Sequence, residues 1–231
     1  MKIGLICSAG GSACFSALDL LHENGSVGKG DVLVVTDREC DAEMAAADRQ
    51  IECIRITESD AAEFSSHACS EFKDRSTDLV FLFYTRLVSS ASYAGIPTFN
   101  IHPSLLPAFR GFGALDQARE QGVRFIGATL HGANEFRDAG PIVGQVVTPV
   151  QTAWDARDFA RVSYIQKTYL LLCMVDLLQN GVVDTDIPGR PCRWLKPPPF
   201  TRTCNPSLMT HSLIDCFAAF QANAGIDALV P

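Results

Sequence analysis

The sequence predicts an α/β fold with a mostly parallel central sheet flanked by helices. Short, continuous apolar runs alternate with amphipathic stretches through the first half of the chain. Apolar runs of this kind are typical of strands buried on both faces, as in parallel sheets covered by helices. With 231 residues, 47% of them hydrophobic, the chain is long enough to bury one sizeable core.

The elements of the first half follow this alternation in order. Strands are predicted at residues 2–7, 31–36, 53–56 and 79–84. Helices are predicted between them, at 14–22, 42–50 and 61–75. The repeated order of strand and helix indicates a parallel sheet.

The pattern changes in the second half. A short strand is predicted at 98–101, a helix at 116–121, and two longer strands, paired antiparallel, at 124–131 and 142–150. A long amphipathic helix is predicted at 156–178, where Asn180-Gly181 forms a stop signal. We therefore expect one unit over residues 1–182. A C-terminal extension over 183–231 is expected to hold an irregular proline-rich segment (188–206) and a last helix (208–221), packed on the same unit or on a second subunit of a homodimer.

Composition excludes several classes of protein. The formal charge of −7 argues against nucleic-acid binding. The nine cysteines form no CxxC pair, so we expect reduced thiols in a cytoplasmic protein and no metal site. No apolar run is long enough to predict a membrane span.

The first loop that could carry chemistry is Ser8-Ala9-Gly10-Gly11-Ser12, between the first strand and the first helix. Adjacent glycines and a helix N-terminus favour an anion such as phosphate. The loop lacks the spacing of a dinucleotide fingerprint and the ending of a P-loop, and an ordinary tight turn is an equal alternative.

The second loop begins Asn100-Ile101-His102-Pro103. Alternation along an extended segment places Asn100 and His102 on the same side, and Pro103 restricts His102 to extended geometry. An amide and an imidazole placed together can polarise a carbonyl and move a proton. A lone histidine near a strand end is more often structural, so the sequence leaves both interpretations open.

The third loop contains Asp138 within Arg137-Asp138-Ala139-Gly140-Pro141. Turn chemistry would explain this aspartate on local grounds. His131 ends the preceding strand and could face the same cleft or simply be capped at the strand end. If the fold brings them together, Asn100, His102 and Asp138 form the candidate catalytic trio.

At these residues the chain resembles the formyltransferases that use 10-formyltetrahydrofolate, and within them the glycinamide ribonucleotide branch. The family motif Asn-Ile-His-Pro-Ser-Leu-Leu-Pro is present unchanged at 100–107, and Asp-x-Gly-Pro-Ile is present at 138–142. The resemblance covers roughly residues 1–180. It implies a Rossmann-like formyltransferase fold, a role in one-carbon metabolism and purine biosynthesis, and 10-formyltetrahydrofolate as the co-substrate with no metal.

The resemblance also implies roles for individual residues. Asn100 would stabilise the oxyanion, His102 would relay a proton, and Asp138 would orient His102. The folate would bind the following residues: Tyr84, Arg86, Leu87, Val88, Asn134, Glu135 and Arg137. The amine acceptor, a phosphorylated small molecule, would bind another set: Gly10, Gly11, Ser12, Ala13, His131, Gln166 and Lys167.

Three departures from the family pattern fall on the acceptor side. Ala13 stands where the ribonucleotide branch has Asn, Gln166 stands in place of Glu, and Lys167 stands in place of His. The acceptor is therefore less well specified than the formyl-folate chemistry, and an amino-sugar nucleotide is an alternative.

Other functions fit part of the pattern. A formyltetrahydrofolate deformylase would use water in place of the amine, and the stretch at 126–131 looks similar to that of deformylases. Methionyl-tRNA formyltransferase is disfavoured by the acidic composition. A non-catalytic folate-binding protein would not need all of Asn100, His102 and Asp138.

Overall fold

The computed structural model describes residues 1–84, 86, 88–185 and 192–224, and its core is one eight-stranded sheet. The strands of this sheet are β1 (Ile3–Cys7), β2 (Val32–Thr36), β3 (Glu52–Arg55), β4 (Leu79–Phe83), β5 (Thr98–His102), β6 (Phe125–Gly132), β7 (Ile142–Pro149) and β10 (Cys204–Asn205). Two short strands, β8 (Val183–Asp184) and β9 (Arg193–Trp194), pair separately.

The sheet order is β10-β7-β6-β5-β4-β1-β2-β3. β1 to β5 pair in parallel, whereas β6 pairs antiparallel with β5 and with β7. The parallel strands and the antiparallel pairing predicted for 124–131 with 142–150 are confirmed. The carboxyl ends of β1, β2, β4 and β5 therefore lie at one edge of the sheet.

The helices are α1 (Ser12–Glu23), α2 (Asp41–Asp48), α3 (Ala61–Asp74), α4 (Ser90–Tyr93), α5 (Ala114–Glu120), α6 (Ala156–Gln179) and α7 (His211–Asn223). The four-residue helix α4 was not predicted. Helix α6 begins at a capping box in which Asp155 and Asp158 bond each other's backbone amides. Most residues of α6 beyond its first turn are buried, which places it at the centre of the core.

Apolar cores cover both faces of the sheet. Along β1, Leu5 and Cys7 join the larger core with α1 and α6, while Ile6 joins the smaller core with α3. Since successive side chains of a strand point to opposite faces, continuous apolar runs are required here.

The proline-rich segment is more ordered than the sequence predicts. The prediction of an irregular 188–206 is wrong at β9 and at β10, which adds an antiparallel edge strand to β7. Residues 186–191 lie outside the described residues.

The last helix begins later than predicted because the preceding backbone has other partners. The buried Asp176 accepts the amides of Met209 and Thr210, and Tyr169 accepts that of Leu208. Phe217 of α7 then packs on Tyr169 of α6, with ring centroids 5.0 Å apart.

All nine cysteines are free thiols. Among the described residues, no helix is both long and apolar enough to cross a membrane.

Candidate active site

The centre of the site is the end of β5. Asn100 and His102 lie on one side of this strand, and Ile101, which is 5% exposed, packs into the core on the other side. The alternation predicted from the sequence is confirmed. Both side chains line a cavity at the carboxyl edge of the parallel strands, where α/β folds commonly bind ligands.

The loop after β5 is fixed by a buried threonine on the neighbouring strand. The Thr129 hydroxyl donates to the Ser104 carbonyl at 2.7 Å and accepts the Leu106 amide at 3.0 Å. The loop then turns back so that the Nε2 of His102 lies 2.7 Å from the Phe109 carbonyl. Because a carbonyl only accepts, Nε2 carries the proton of this bond.

Asp138 enters the same cavity from the loop between β6 and β7. Its backbone is left-handed, with φ of 49°, a conformation that aspartate tolerates better than most residues. One oxygen, Oδ2, accepts the Gly111 amide at 2.8 Å and lies 3.4 Å from His102 Nδ1. The other, Oδ1, accepts from Asn100 Nδ2 at 3.2 Å. The fold thus brings the predicted trio together.

The ionised form of Asp138 is stabilised by its neighbours. Burial acts to raise the pKa of this carboxyl, but contacts with His131, the Gly111 amide and His102 outweigh it, and the pKa lies below its ordinary value. The site therefore holds a carboxylate against two imidazoles.

His131 belongs to this centre. Strand pairing places it directly opposite Asn100, and its Nε2 lies 3.2 Å from Asn100 Nδ2 and 3.6 Å from Asp138 Oδ1. The resemblance assigned it to the acceptor side; the structure shows that it lines the cavity and that the polar contacts of its ring are with Asn100, Asp138 and the Gly132 carbonyl. The register of β5 and β6, which the sequence does not display, places His131 beside Asn100.

The cavity has a volume of about 420 Å³, within the range of small-molecule sites. Two further sets of residues line it. The tyrosine wall consists of Tyr84, Arg86 and Val88. The glycine-loop wall consists of Gly11, Ser12, Ala13 and Lys167.

The tyrosine wall is held by Asp37, which follows β2. The Asp37 carboxylate accepts from Arg38 at 2.6 Å, from Arg86 at 3.3 Å and from the Tyr84 hydroxyl at 3.4 Å. The Tyr84 ring also stacks on Phe64, with centroids 5.2 Å apart. Asp37 was not among the predicted site residues, although its position directly after a parallel strand was the signal that could have found it.

These contacts determine which side chains of the tyrosine wall are charged. Burial acts to raise the pKa of Asp37, but the hydrogen bonds and charges of Arg38 and Arg86 lower it below its ordinary value. Burial, together with the Asp37 charge, raises the pKa of Tyr84 to about 12. The wall thus presents a neutral phenol and a paired guanidinium.

The glycine-loop wall is built differently. Gly11 adopts φ of 59° directly before α1, and Thr168 of α6 donates to the Ala13 carbonyl at 3.2 Å, which brings α6 against this loop. Lys167, the residue before Thr168, reaches the cavity, and no described acidic side chain pairs with its ammonium. Burial lowers the pKa of Lys167.

Of the remaining residues predicted to bind folate, not all line the cavity. Asn134 and Arg137 line the cavity, and the Arg137 guanidinium lies over the exposed Phe112 ring, 4.4 Å from its centroid. Glu135 is exposed and lies off the cavity wall. Leu87 lies outside the described residues.

Two predicted acceptor residues also lie off the cavity wall. Gly10 is not part of the lining. The Gln166 side chain is buried towards β7, where its Nε2 donates to the Thr148 hydroxyl at 2.8 Å. Helix α6 therefore presents Lys167 to the cavity and Gln166 to the sheet.

No cluster of three metal-binding side chains occurs within the part of the chain that the structure describes.

Comparison with known proteins places this geometry in a family. The formyl transferase family matches residues 1–167, well over half of the chain. The chain belongs to the formyl transferase family.

Individual relatives agree with this assignment. The chain is 28% identical to the crystal structure of glycinamide ribonucleotide transformylase 1 from Symbiobacterium toebii, with a TM-score of 0.73, covering 85% of this chain and 94% of that one. It is 28% identical over 203 residues to the human trifunctional purine biosynthetic protein adenosine-3, covering 84% of this chain and 20% of that protein.

A third relative is a formyltetrahydrofolate deformylase from Mycobacterium bovis, 47% identical over 68 residues. That match covers 29% of this chain and 22% of the deformylase. The chain thus spans about a fifth of the length of these two curated relatives.

Proposed function

We propose that this protein transfers the formyl group of 10-formyltetrahydrofolate to a primary amine, with glycinamide ribonucleotide as the first candidate acceptor. The observation that carries the proposal is the convergence of Asn100, His102 and Asp138 on one cavity in a chain of the formyl transferase family. The amine nitrogen attacks the formyl carbon, the bond from that carbon to the folate nitrogen breaks, and a proton passes from the amine to the folate nitrogen.

Each member of the trio supplies part of this reaction. Asn100 donates a hydrogen bond to the formyl oxygen as negative charge develops on it. His102 carries the proton between the two nitrogens through Nδ1, since Nε2 already holds the proton donated to the Phe109 carbonyl, and Asp138 lies 3.4 Å from Nδ1. The ionised Asp138 also stabilises positive charge on the imidazole when the proton arrives.

The two walls divide the substrates between them. We assign the folate to the tyrosine wall and to Asn134 and Arg137, where a neutral phenol and aromatic surface suit a planar ring system. We assign the amine to the glycine-loop wall. Backbone amides at the start of α1 and the unpaired Lys167 ammonium favour an acceptor that carries an anionic group such as phosphate.

The nine free thiols support a reducing compartment, so we place the reaction in the cytoplasm.

Hydrolysis of 10-formyltetrahydrofolate is the second candidate, favoured by the 47% identity to a deformylase over 68 residues. The same trio would then act on a water molecule in place of the amine. The attacking water has no counterpart to the anionic group of an amine acceptor that Lys167 would bind.

One experiment separates these functions. The purified protein is given 10-formyltetrahydrofolate with and without a panel of primary amines that includes glycinamide ribonucleotide, amino-sugar nucleotides and neutral amines. Formylated amine as the main product supports transfer and identifies the acceptor. Formate release that no amine suppresses supports the hydrolase, and the absence of both products contradicts formyl chemistry here.

A further inference from the structure

His131 is held by groups that determine which of its ring nitrogens carries the proton. Its ring is buried, and its Nδ1 lies 3.0 Å from the Gly132 carbonyl oxygen. A carbonyl only accepts, so the neutral ring carries its proton on Nδ1 and leaves a lone pair on Nε2. That lone pair lies 3.2 Å from Asn100 Nδ2, which is nearer to Nε2 than Asp138 Oδ1 is, at 3.6 Å.

The Gly132 carbonyl is fixed in turn by the segment that supplies Asp138. A Cβ added at Gly140 would lie 1.7 Å from the Gly132 oxygen and 3.4 Å from His131 Nδ1. Only glycine allows this approach. The Asp-Ala-Gly-Pro segment therefore positions Asp138 and His131 at the same time.

Asn100 has two N–H groups on its carboxamide, and both have acceptors here. One faces the Nε2 lone pair of His131 and the other faces Asp138 Oδ1, each at 3.2 Å. A carboxamide turned by 180° would place its oxygen against a lone pair and a carboxylate, which is repulsive. These two acceptors thus determine which end of the Asn100 side chain is the nitrogen.

We propose that His131 is a positioning residue that acts through Asn100. Its Nε2 holds one N–H of the carboxamide, so that the other N–H can leave Asp138 for the formyl oxygen without loss of the amide's orientation. This role rests on the proposed formyl transfer. It differs from the role that the resemblance implied, in which His131 binds the acceptor.

Two substitutions distinguish the role of Nε2 of His131 from that of Nδ1. In His131→Gln the side-chain oxygen reaches the place of Nε2 and can accept from Asn100. In His131→Asn the shorter side chain reaches only the place of Nδ1. We expect His131→Asn to lower kcat roughly 10- to 100-fold, which corresponds to one lost hydrogen bond to the group that stabilises the oxyanion. The kcat of His131→Gln should stay within about threefold of that of the parent protein. Neither substitution should change KM for 10-formyltetrahydrofolate.

A measurement on the unmodified protein does not depend on any variant's folding or on turnover. Long-range proton–nitrogen NMR correlations report the tautomer of His131, and the side-chain amide signals of Asn100 are assigned by their loss in Asn100→Ala. The inference requires a proton on Nδ1 of His131 and distinct Asn100 amide protons, one of which shifts in His131→Asn.

A proton on Nε2 in the neutral ring would overturn the inference, and so would equal kcat values for the two His131 variants. Failure of the parent protein to transfer formyl groups contradicts the proposed function instead, while the tautomer measurement still decides whether His131 holds Asn100.

Discussion

The two walls of the cavity differ in how their charged groups are satisfied. On the tyrosine wall, Arg86 and the Tyr84 hydroxyl both contact Asp37, which also pairs with Arg38. On the glycine-loop wall, the Lys167 ammonium lines the cavity with no acidic partner among the described residues. The charged groups of the tyrosine wall are paired within the protein. The glycine-loop wall presents a cation with no acidic partner among the described residues.

This difference indicates how each wall would recognise its ligand. A side chain already fixed by its own protein loses little entropy when a ligand binds, so the tyrosine wall is preorganised in shape. A half-buried cation gains most from a ligand that supplies the missing negative charge. Shape would then select the folate and charge would select the acceptor.

The largest expected effect is at Asn100, which contacts His131 and Asp138. Asn100→Ala should lower kcat by roughly 10²–10³-fold, since removal of a donor to a developing oxyanion has an effect of this size. Steady-state rates with the best acceptor measure it, and Glu135→Ala, at an exposed residue off the cavity wall, is the control. A rate within threefold of the parent would contradict the role of Asn100.

Lys167→Met tests the cation of the glycine-loop wall. For an anionic acceptor KM should rise about tenfold, the effect of losing roughly 1.4 kcal/mol of charge-assisted binding. KM for 10-formyltetrahydrofolate should not change, and neither should KM for a neutral amine. Lys29→Met, which removes an exposed lysine far along the chain, controls for net charge. An equal rise for neutral amines would mean that Lys167 shapes the cavity and does not bind an anion.

Asp138→Asn tests the carboxylate that faces both imidazoles. The folded pKa of Asp138 lies below the value of about 3.9 expected for the unfolded chain. Its ionised form therefore adds stability at pH values above about 3.9, and this contribution is lost as the pH falls through the folded pKa.

At neutral pH the variant should unfold with a free energy lower by about 1 kcal/mol, the difference between a charged and a neutral hydrogen-bond acceptor. Urea unfolding of both proteins from pH 7 down to pH 3 measures this gap, which should narrow only in acid. If the difference in unfolding free energy between the two proteins did not change with pH, the ionised form of Asp138 could not be its cause.

The smallest expected effect is at the tyrosine wall. Asp37→Asn keeps an oxygen for one arginine but removes the charge that Arg86 and Arg38 share. We expect KM for 10-formyltetrahydrofolate to rise about threefold with kcat unchanged. The side chains of the tyrosine wall would be less firmly fixed before the folate binds, although the residues that contact it stay the same. A matching change at Asp31, a partly exposed aspartate outside the cavity lining, should leave KM for 10-formyltetrahydrofolate unchanged. Should Asp37→Asn lower kcat and leave KM alone, the wall would act on the chemistry and not on binding.

Several parts of the site followed from local sequence. Apolar runs located β1, β2, β4 and β5, and alternation placed Asn100 and His102 on one side of β5. The motif containing Asp138 was found because a family resemblance linked it to His102; its local sequence indicated only a turn. The edge strand β10 was missed because two residues directly before Pro206 carry no periodic pattern, and only their pairing with β7 makes them a strand.

By itself the sequence determined the α/β class and the order of most elements, because these depend on apolar periodicity, whereas the candidate trio was identified through the resemblance to formyltransferase motifs. Tertiary structure decided which partners those residues have. Strand register set His131 opposite Asn100, the rotation of α6 turned Gln166 to the sheet and Lys167 to the cavity, and the parallel strands brought Asp37 to Arg86. Such contacts join residues far apart in the chain, and their geometry depends on how whole elements pack, which no local pattern encodes.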